Sequence, residues 1–337
     1  MADMPAPEMV EVNGIQLAVY RAGPDPSDTD KPAVFFLHGF PEIAYSWRAQ
    51  LKALGDAGYP VFTYDARGYG ASDAPKGRKN YTVAKLCADA EALLDHYGLR
   101  DAVFVGHDWG ALTLWAMPFY MGDRVAGYAG LNVPLMPLYR EDPIALFRRH
   151  FGDKMYIVRF QTEGACEPVL EKDLMRTFRY FLRKPGKCKA RAGEAPKPDT
   201  GFSEKNLDLI GQLEQGEEGW GGVPLLPDEE LQIYADAYRK NGFTGPLHWY
   251  RNMTHNWQDM QRFADADGKL PFVARPCLMI TAELDRACPP SLADGMENLC
   301  GPYERIDLKG CGHWSQQERA ADVNAALLDW LHKYFPC

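Results

Sequence analysis

Residues 106 to 110 read Gly106-His107-Asp108-Trp109-Gly110, after the apolar run Ala102–Val105 and before a stretch of helical period. Glycines flanking a central residue let the chain turn sharply from strand to helix and hold the central side chain up beside a helix N-terminus. Here that residue is an aspartate. A carboxylate is ionised at neutral pH and can attack an electrophile as it stands, whereas a serine in its place needs a base to deprotonate it. His313 lies late in the chain, in Gly310-Cys311-Gly312-His313-Trp314 after the run Tyr303–Leu308. Between the two, just past the run Cys277–Ile280, stand Glu283 and Asp285. Nucleophile, acid and base in that chain order make a hydrolytic triad. Asp285 is the preferred acid, because Glu283 is nearer the strand end and is placed to cap the following turn. The bland alternatives are Asp108 as a helix N-cap and His313 as a structural histidine. The order of the three residues favours chemistry.

Such side chains need a frame to bring them together. Val-Glu-Val, Asn13-Gly14 and Ile-Gln-Leu-Ala-Val-Tyr read as an antiparallel hairpin, since Asn-Gly tolerates positive φ at both turn positions. Short continuous apolar runs follow: Ala33–Leu37, Val61–Tyr64, Ala102–Val105, Val125–Leu131 and Cys277–Ile280. Strands apolar on both faces belong to a parallel sheet covered by helices. Val83–Tyr97, Ala111–Met121 and Ala321–Phe335 read as those helices, the last with Val323, Ala326, Leu327, Trp330 and Leu331 on one stripe. From about Pro134 to Tyr250 the rhythm breaks. Amphipathic stretches around Leu174–Leu182, Asn206–Leu213 and Asp228–Lys240 are joined by the loops Arg183–Gly201 and Gly216–Pro227, with no clear buried strand. The pattern predicts an α/β fold: a core over 1–133 and 251–337, and a helical cap over 134–250.

Composition narrows the partner. The chain has 337 residues, 46% hydrophobic and 25% charged, the balance of a globular protein. With 37 basic and 46 acidic side chains the net charge is −9, which argues against nucleic acid and for a small molecule. No apolar run approaches the roughly 18 residues of a membrane span, and no basic-then-apolar leader opens the chain, so the cytoplasm is expected. The eight cysteines are scattered without a C-x-x-C pair and read as reduced thiols, and no histidine pair stands at i and i+4 to suggest a helical zinc site. Arg67-Gly68-Tyr69-Gly70 hints at a dinucleotide loop, but Asp73 occupies the third glycine position, and the loop reads instead as one that turns close under the cap. The basic stretch Arg176, Arg179, Arg183, Lys184, Lys187, Lys189, Arg191 reads as a solvated face, with attraction of anionic substrates as the second possibility. Oligomeric state is not legible.

The sequence resembles the soluble epoxide hydrolases of the α/β-hydrolase fold over nearly its whole length. The segments that carry the resemblance are His38-Gly39-Phe40-Pro41, Asp65-Ala66-Arg67-Gly68-Tyr69-Gly70-Ala71-Ser72, Gly106–Gly110, Leu131-Asn132-Val133-Pro134 and Cys311-Gly312-His313-Trp314. Gly245-Pro246-Leu247-His248-Trp249-Tyr250-Arg251-Asn252-Met253 is similar to the family's segment for its second cap tyrosine, which implies that role for Tyr250. The first cap tyrosine would be Tyr156; its segment departs from the pattern at Ile157, where relatives often have glutamine. The resemblance further implies an oxyanion hole from the Phe40 and Trp109 amides. Some relatives take their acid at the place of Asn132, which is no carboxylate, and this favours Asp285.

The implied reaction converts a small apolar epoxide to a vicinal diol with water, and requires neither metal nor organic cofactor. Asp108 would open the ring to an alkyl ester while the two tyrosine hydroxyls, ordinarily protonated at neutral pH, receive the departing oxygen. Water activated by His313 would then hydrolyse the ester. The nearest rival is a haloalkane dehalogenase with the same nucleophile; its leaving halide needs no proton source, and Phe40 lacks the side-chain donor that some of those enzymes carry. A serine esterase or lipase is disfavoured by aspartate at 108, and an intact triad argues against a non-catalytic receptor. Trp220, Trp249, Trp257 and Phe151 would either line the pocket or pack the cap onto the core.

Overall fold

A computed structural model describes residues 4–186 and 207–336. Lys187, Cys188, Lys189, Arg191 and Cys337 lie outside the described residues, as does most of the Arg183–Gly201 loop. The hairpin forms as read, with β1 (Glu8–Val12) antiparallel to β2 (Ile15–Ala22). Its turn has φ of 51° at Asn13 and 75° at Gly14, the double positive value that suits the right-handed twist of the flanking strands.

The remaining strands of the main sheet are β3 (Val34–Leu37), β4 (Val61–Tyr64), β5 (Ala102–His107) and β6 (Val125–Leu131), with two later ones, Cys277–Ala282 and Tyr303–Leu308. The eight strands lie in the order β1-β2-β4-β3-β5-β6 followed by those two, and from β4 onward every pair is parallel. The helices α1 (Arg48–Asp56), α2 (Val83–His96) and α3 (Trp109–Tyr120) follow β3, β4 and β5. Successive side chains of a strand point to opposite faces, so Phe35, Phe62 and Phe104 stack on one face, with centroids 4.5 and 5.3 Å from Phe35. Phe36, Val61 and Val103 enter the opposite layer with Leu327 and Trp330.

Between β6 and Cys277 runs a helical insertion: α4 (Pro143–Phe151), α5 (Tyr156–Arg159), α6 (Glu167–Glu171), α7 (Leu174–Phe181), α8 (Leu209–Gln215), α9 (Asp228–Asn241), α10 (Thr244–Arg251) and α11 (Met253–Met260). It also carries a two-residue antiparallel ladder, β7 (Arg183–Lys184) with β8 (Val223–Pro224). This ladder is exposed over most of its length, so it leaves no buried apolar run by which the sequence could announce it. The strands Cys277–Ala282 and Tyr303–Leu308 become β9 and β10, and the chain closes with α12 (Ser315–Glu318) and α13 (Ala320–Tyr334). All five residues of the stripe read on α13 are buried.

The insertion is fixed to the sheet by specific contacts. Arg48 pairs with Glu230 at 2.6 Å, and the Ser46 and Tyr234 hydroxyls are 2.9 Å apart. Gly68, with φ of 90°, lies against Gly245 at the start of α10, and a Cβ on Gly245 would come within 2.9 Å of the Gly68 Cα. Within the insertion, the buried Arg251 guanidinium donates to the Phe160 carbonyl at 2.8 Å and pairs with Glu167 at 2.8 Å. Arg176 donates to the Leu213 carbonyl, Arg179 pairs with Asp228, and Arg183 donates to Gly221 and Gly222. These three arginines of the basic stretch are structural ties. Among the described residues no helix is long and apolar enough to cross a membrane.

Candidate active site

Asp108 sits between β5 and α3 with φ 52° and ψ −119°, a conformation that non-glycine residues seldom adopt and that surrounding structure must enforce. The enforcement is close crossing of backbone. A Cβ on Gly106 would stand 2.7 Å from the Ala111 nitrogen, and one on Gly110 would stand 2.8 Å from the His38 carbonyl oxygen. On the other side, a Cβ on Gly39 would meet the Asp108 carboxylate at 2.5 Å. Asp108 makes no side-chain cap to α3, so the N-cap alternative is not realised. Its Oδ1 instead accepts from the Phe40 amide at 2.8 Å. The Trp109 amide opens α3 at the same turn; among the described residues no hydrogen bond joins it to the carboxylate.

His313 Nε2 lies 3.5 Å from Asp108 Oδ2, and its Nδ1 lies 2.8 Å from Asp285 Oδ2. The buried Asp285 has all its acceptor capacity engaged. Oδ1 accepts from the amides of Ala287 and Cys288 at 2.9 and 3.0 Å, and Oδ2 also accepts from Asn132 Nδ2 at 2.7 Å. Burial works to raise its pKa, but the facing His313 and these donors overcome that and hold it down to about 2. Burial likewise pulls His313 down, yet the charges and hydrogen bonds of Asp285 and Asp108 prevail and hold its pKa well above the ordinary value. Glu283 turns away: its carboxylate accepts from the Gly310 amide at 2.8 Å and faces Lys309.

Tyr156 opens α5 and Tyr250 lies in α10, their ring centroids 5.9 Å apart. Rings of Trp109, Phe160 and Phe40 surround Tyr250 at 4.9, 5.0 and 5.2 Å. Burial and the nearby Asp108 charge both push the two phenols well above their usual pKa, so they stay protonated. Trp249 packs between Tyr69 and Trp109, Trp220 against Tyr180, and the Trp257 indole donates to the Tyr139 carbonyl. Trp220 and Trp257 act as packing, while Trp249 also lines a cavity with Leu37, His38 and Gly110.

Three further residues contribute in roles the sequence did not indicate. Asn132, at the end of β6 with φ 66°, links Asp285 to the base loop, since its Oδ1 accepts from Ser315 Oγ at 2.5 Å. His107 places Nε2 2.7 Å from the His313 carbonyl and Nδ1 2.7 Å from Glu42, so both ring nitrogens face oxygen. Glu42 is fully buried; burial works against its charge, but His107 opposite, with the Gly39 amide and Ser46, keeps its pKa near about 2. The only sequence signal was position, since His107 is the second residue of the Gly106–Gly110 turn and Glu42 follows Pro41. Finally, the insertion holds the base loop from above. The Trp314 indole donates to the Phe181 carbonyl at 2.9 Å, and Pro185 lies so close to Gly312 that a Cβ there would meet its Cδ at 2.5 Å.

Residues 32–320 match the family model described as alpha/beta hydrolase fold. The chain is 40% identical over 333 residues to epoxide hydrolase A of Mycobacterium tuberculosis, with 97% of each covered. It is 36% identical to bifunctional epoxide hydrolase 2 of Sus scrofa, over 89% of this chain and 51% of that protein. Crystal structures of epoxide hydrolase A from Mycobacterium thermoresistibile and of an epoxide hydrolase from Vigna radiata superpose with TM-scores of 0.80 and 0.81. Their identities are 36% and 30%, covering 97% and 99% of this chain and 98% and 99% of theirs. A carboxylate on the strand-to-helix turn, facing a histidine–aspartate pair beneath a helical insertion, is thus accompanied by full-length likeness of sequence and of fold, and the chain belongs to the epoxide hydrolases of the α/β-hydrolase fold.

Proposed function

We propose that this protein opens a small apolar epoxide to a vicinal diol in two covalent steps, in a site formed between a core of 1–133 and 251–337 and a cap of 134–250. The observation that carries the reading is the placement of the Asp108 carboxylate, with Oδ1 on the Phe40 amide, Oδ2 toward His313, and the phenols of Tyr156 and Tyr250 near enough to feel its charge. Oδ2 attacks a ring carbon, the C–O bond of the epoxide breaks, and Tyr156 and Tyr250 hydrogen-bond the departing oxygen, one of them supplying its proton. An alkyl ester of Asp108 results.

Ester formation removes the Asp108 charge. Two of the influences that hold His313 protonated, that charge and its hydrogen bond, disappear with it. The imidazole therefore releases its proton more readily once the ester exists, when a base is needed. Nε2 then takes a proton from water, the hydroxide adds to the ester carbonyl, and the developing oxyanion on Oδ1 is stabilised by the Phe40 amide, with Trp109 as the second donor. Asp285 holds Nδ1–H and so keeps Nε2 as the accepting nitrogen. Acyl–oxygen cleavage expels the second diol oxygen, which takes the proton held on His313 Nε2. The carboxyl proton left on Asp108 returns to the tyrosinate, so the diol is freed and Asp108 and the phenol are both regenerated.

A single turnover in ¹⁸O-water, followed by mass analysis of the peptide containing Asp108, tests the route. Label in that carboxylate is the expected result; label confined to the diol would refute an ester intermediate. Assaying the same reactions for halide release from a haloalkane distinguishes the dehalogenase, which has no use for the two phenols.

A further inference from the structure

Six cysteines fall among the described residues, all as free thiols. Cys87, Cys166, Cys277, Cys300 and Cys311 are buried, whereas Cys288 is only partly so. It is also the one brought to the catalytic centre. The loop after β9 folds back because Asp285 Oδ1 accepts the amides of both Ala287 and Cys288, and this returns the Cys288 side chain to the acid that organises the turn. One carboxylate oxygen of Asp285, one ring nitrogen of His313 and the Cys288 sulfur all lie within 4.8 Å of one another. The separation of His313 Nδ1 from Asp285 Oδ2 is 2.8 Å.

We propose that Asp285, Cys288 and His313 form an inhibitory site for one thiophilic divalent cation of the zinc class. Its binding half stands on geometry alone, and its inhibitory half rests on the reading of His313 as the base. Zinc bonds of about 2.0 Å to nitrogen and oxygen and about 2.3 Å to sulfur place tetrahedral donors roughly 3.3–3.6 Å apart. Reaching that spacing draws the sulfur in from at most 4.8 Å and parts the carboxylate from the imidazole beyond 2.8 Å. One sulfur, one nitrogen and one oxygen suit zinc or cadmium and not magnesium or calcium, which take oxygen ligands. Three protein ligands leave a fourth position for water. The thiolate and carboxylate together balance the charge of the ion, and the thiol proton passes to solvent.

Occupation has a defined chemical effect. The metal-free imidazole that serves as base carries its one proton on Nδ1, toward Asp285, and accepts at Nε2. An ion taking Nδ1 displaces that proton, which moves through water to Nε2, and Nε2 then has no lone pair to accept from water. Ring opening by Asp108 uses no base and continues. Loading the site therefore stops the reaction at the alkyl ester after one turnover.

The test uses the full chain stripped with a chelator and Zn²⁺ as the probe, compared with Cys288→Ala and Cys288→Ser. Thermal unfolding midpoints and circular dichroism of both variants equal to the parent's certify folding. Equilibrium dialysis should find a site in the parent that weakens at least about ten-fold in both variants, and Co²⁺ should give a thiolate-to-cobalt absorption band that both lack. Zn²⁺ should suppress steady turnover of the parent, reversibly with chelator, at concentrations at least about ten-fold below those needed for the variants. Mass analysis during suppression should find the epoxide attached to Asp108. Equal zinc binding by parent and variants would overturn the site. Binding through Cys288 with undiminished turnover would uphold the site and overturn the role of His313. Suppression without alkylated Asp108 would overturn the claim that only the second step is blocked. Failure of the metal-free protein to open epoxides would count against the proposed function alone, because the binding and cobalt readouts do not depend on it.

Discussion

The protonation of His313 is governed by the residue it serves. Asp108 and Asp285 both raise its pKa, so replacing Asp108 with asparagine removes one of the two and should lower the ring pKa. NMR titration of the His313 ring in parent and Asp108→Asn protein measures this directly; coincident curves would mean that the 3.5 Å pair has no influence. The sign carries into activity. On the proposed route ester hydrolysis needs neutral His313, so that step should accelerate as pH rises through the ring's pKa in the alkyl-enzyme, whereas ring opening requires no neutral imidazole. At the same scale, Tyr250→Phe deletes one hydrogen-bond donor to the departing oxygen while keeping the packed ring. It should slow ring opening by about 10²-fold and leave hydrolysis of a preformed ester unchanged, as resolved by single-turnover stopped flow. The sequence favours Asp285 over Glu283 because Glu283 stands ready to cap the turn after its own strand; in the structure Glu283 instead accepts from the Gly310 amide, 27 residues on, a partner that its local sequence does not indicate. Asn132 could be excluded as the acid but not recognised as the acid's donor, because its partner lies 153 residues away and only the folded sheet juxtaposes them.

At the level of elements, the site depends on where α10 rests. Tyr250 is carried by this helix, and the helix begins on Gly245 with Gly68 beneath it. Gly245→Ala places a methyl group 2.9 Å from backbone that has no side chain to yield. Overpacking of this sort costs about 1–3 kcal/mol. The variant should unfold at lower denaturant and should slow ring opening more than ester hydrolysis, because it displaces the phenol and leaves the triad in place. Equal slowing of both steps would argue that the seat of α10 does not set the phenol. The hairpin, the apolar parallel strands and the helices α2, α3 and α13 were legible because each has its own apolar period or turn dipeptide; the crossover helix α1 (Arg48–Asp56) was not read from the sequence. Helix α3 begins at Trp109, two residues before its apolar period suggests, since the turn at Asp108 and not hydrophobicity sets its start. The β7–β8 ladder was invisible because two exposed pairs carry no pattern.

For the molecule as a whole, the buried Glu42–His107 pair couples the active site to stability. The pKa of Glu42 drops from 4.5 in its ordinary state to about 2 when folded. A depressed folded pKa contributes stability above the unfolded value and loses it as pH falls toward the folded one. Its contribution, about 3 kcal/mol, is thus present above pH 4.5 and fades between there and about 2. Glu42→Gln should flatten the acid limb of stability in that window, read as urea midpoints against pH. It should also slow ester hydrolysis, because His107 braces the His313 carbonyl. An acid limb as steep as the parent's would place the acid sensitivity elsewhere. Composition could indicate a small-molecule protein with an α/β core and a helical insertion, since those follow from charge and period. The brace could not be foreseen, because Glu42, His107 and Gln316 meet only across 65 and 274 residues of chain.

The bond from Trp314 to the Phe181 carbonyl and the press of Pro185 on Gly312 join the insertion to the loop that carries His313. On the proposed two-step route, a bulky guest that lifted α7 to make room for itself would thereby tug on the imidazole meant to release it, so girth would be penalised at departure as well as at admission.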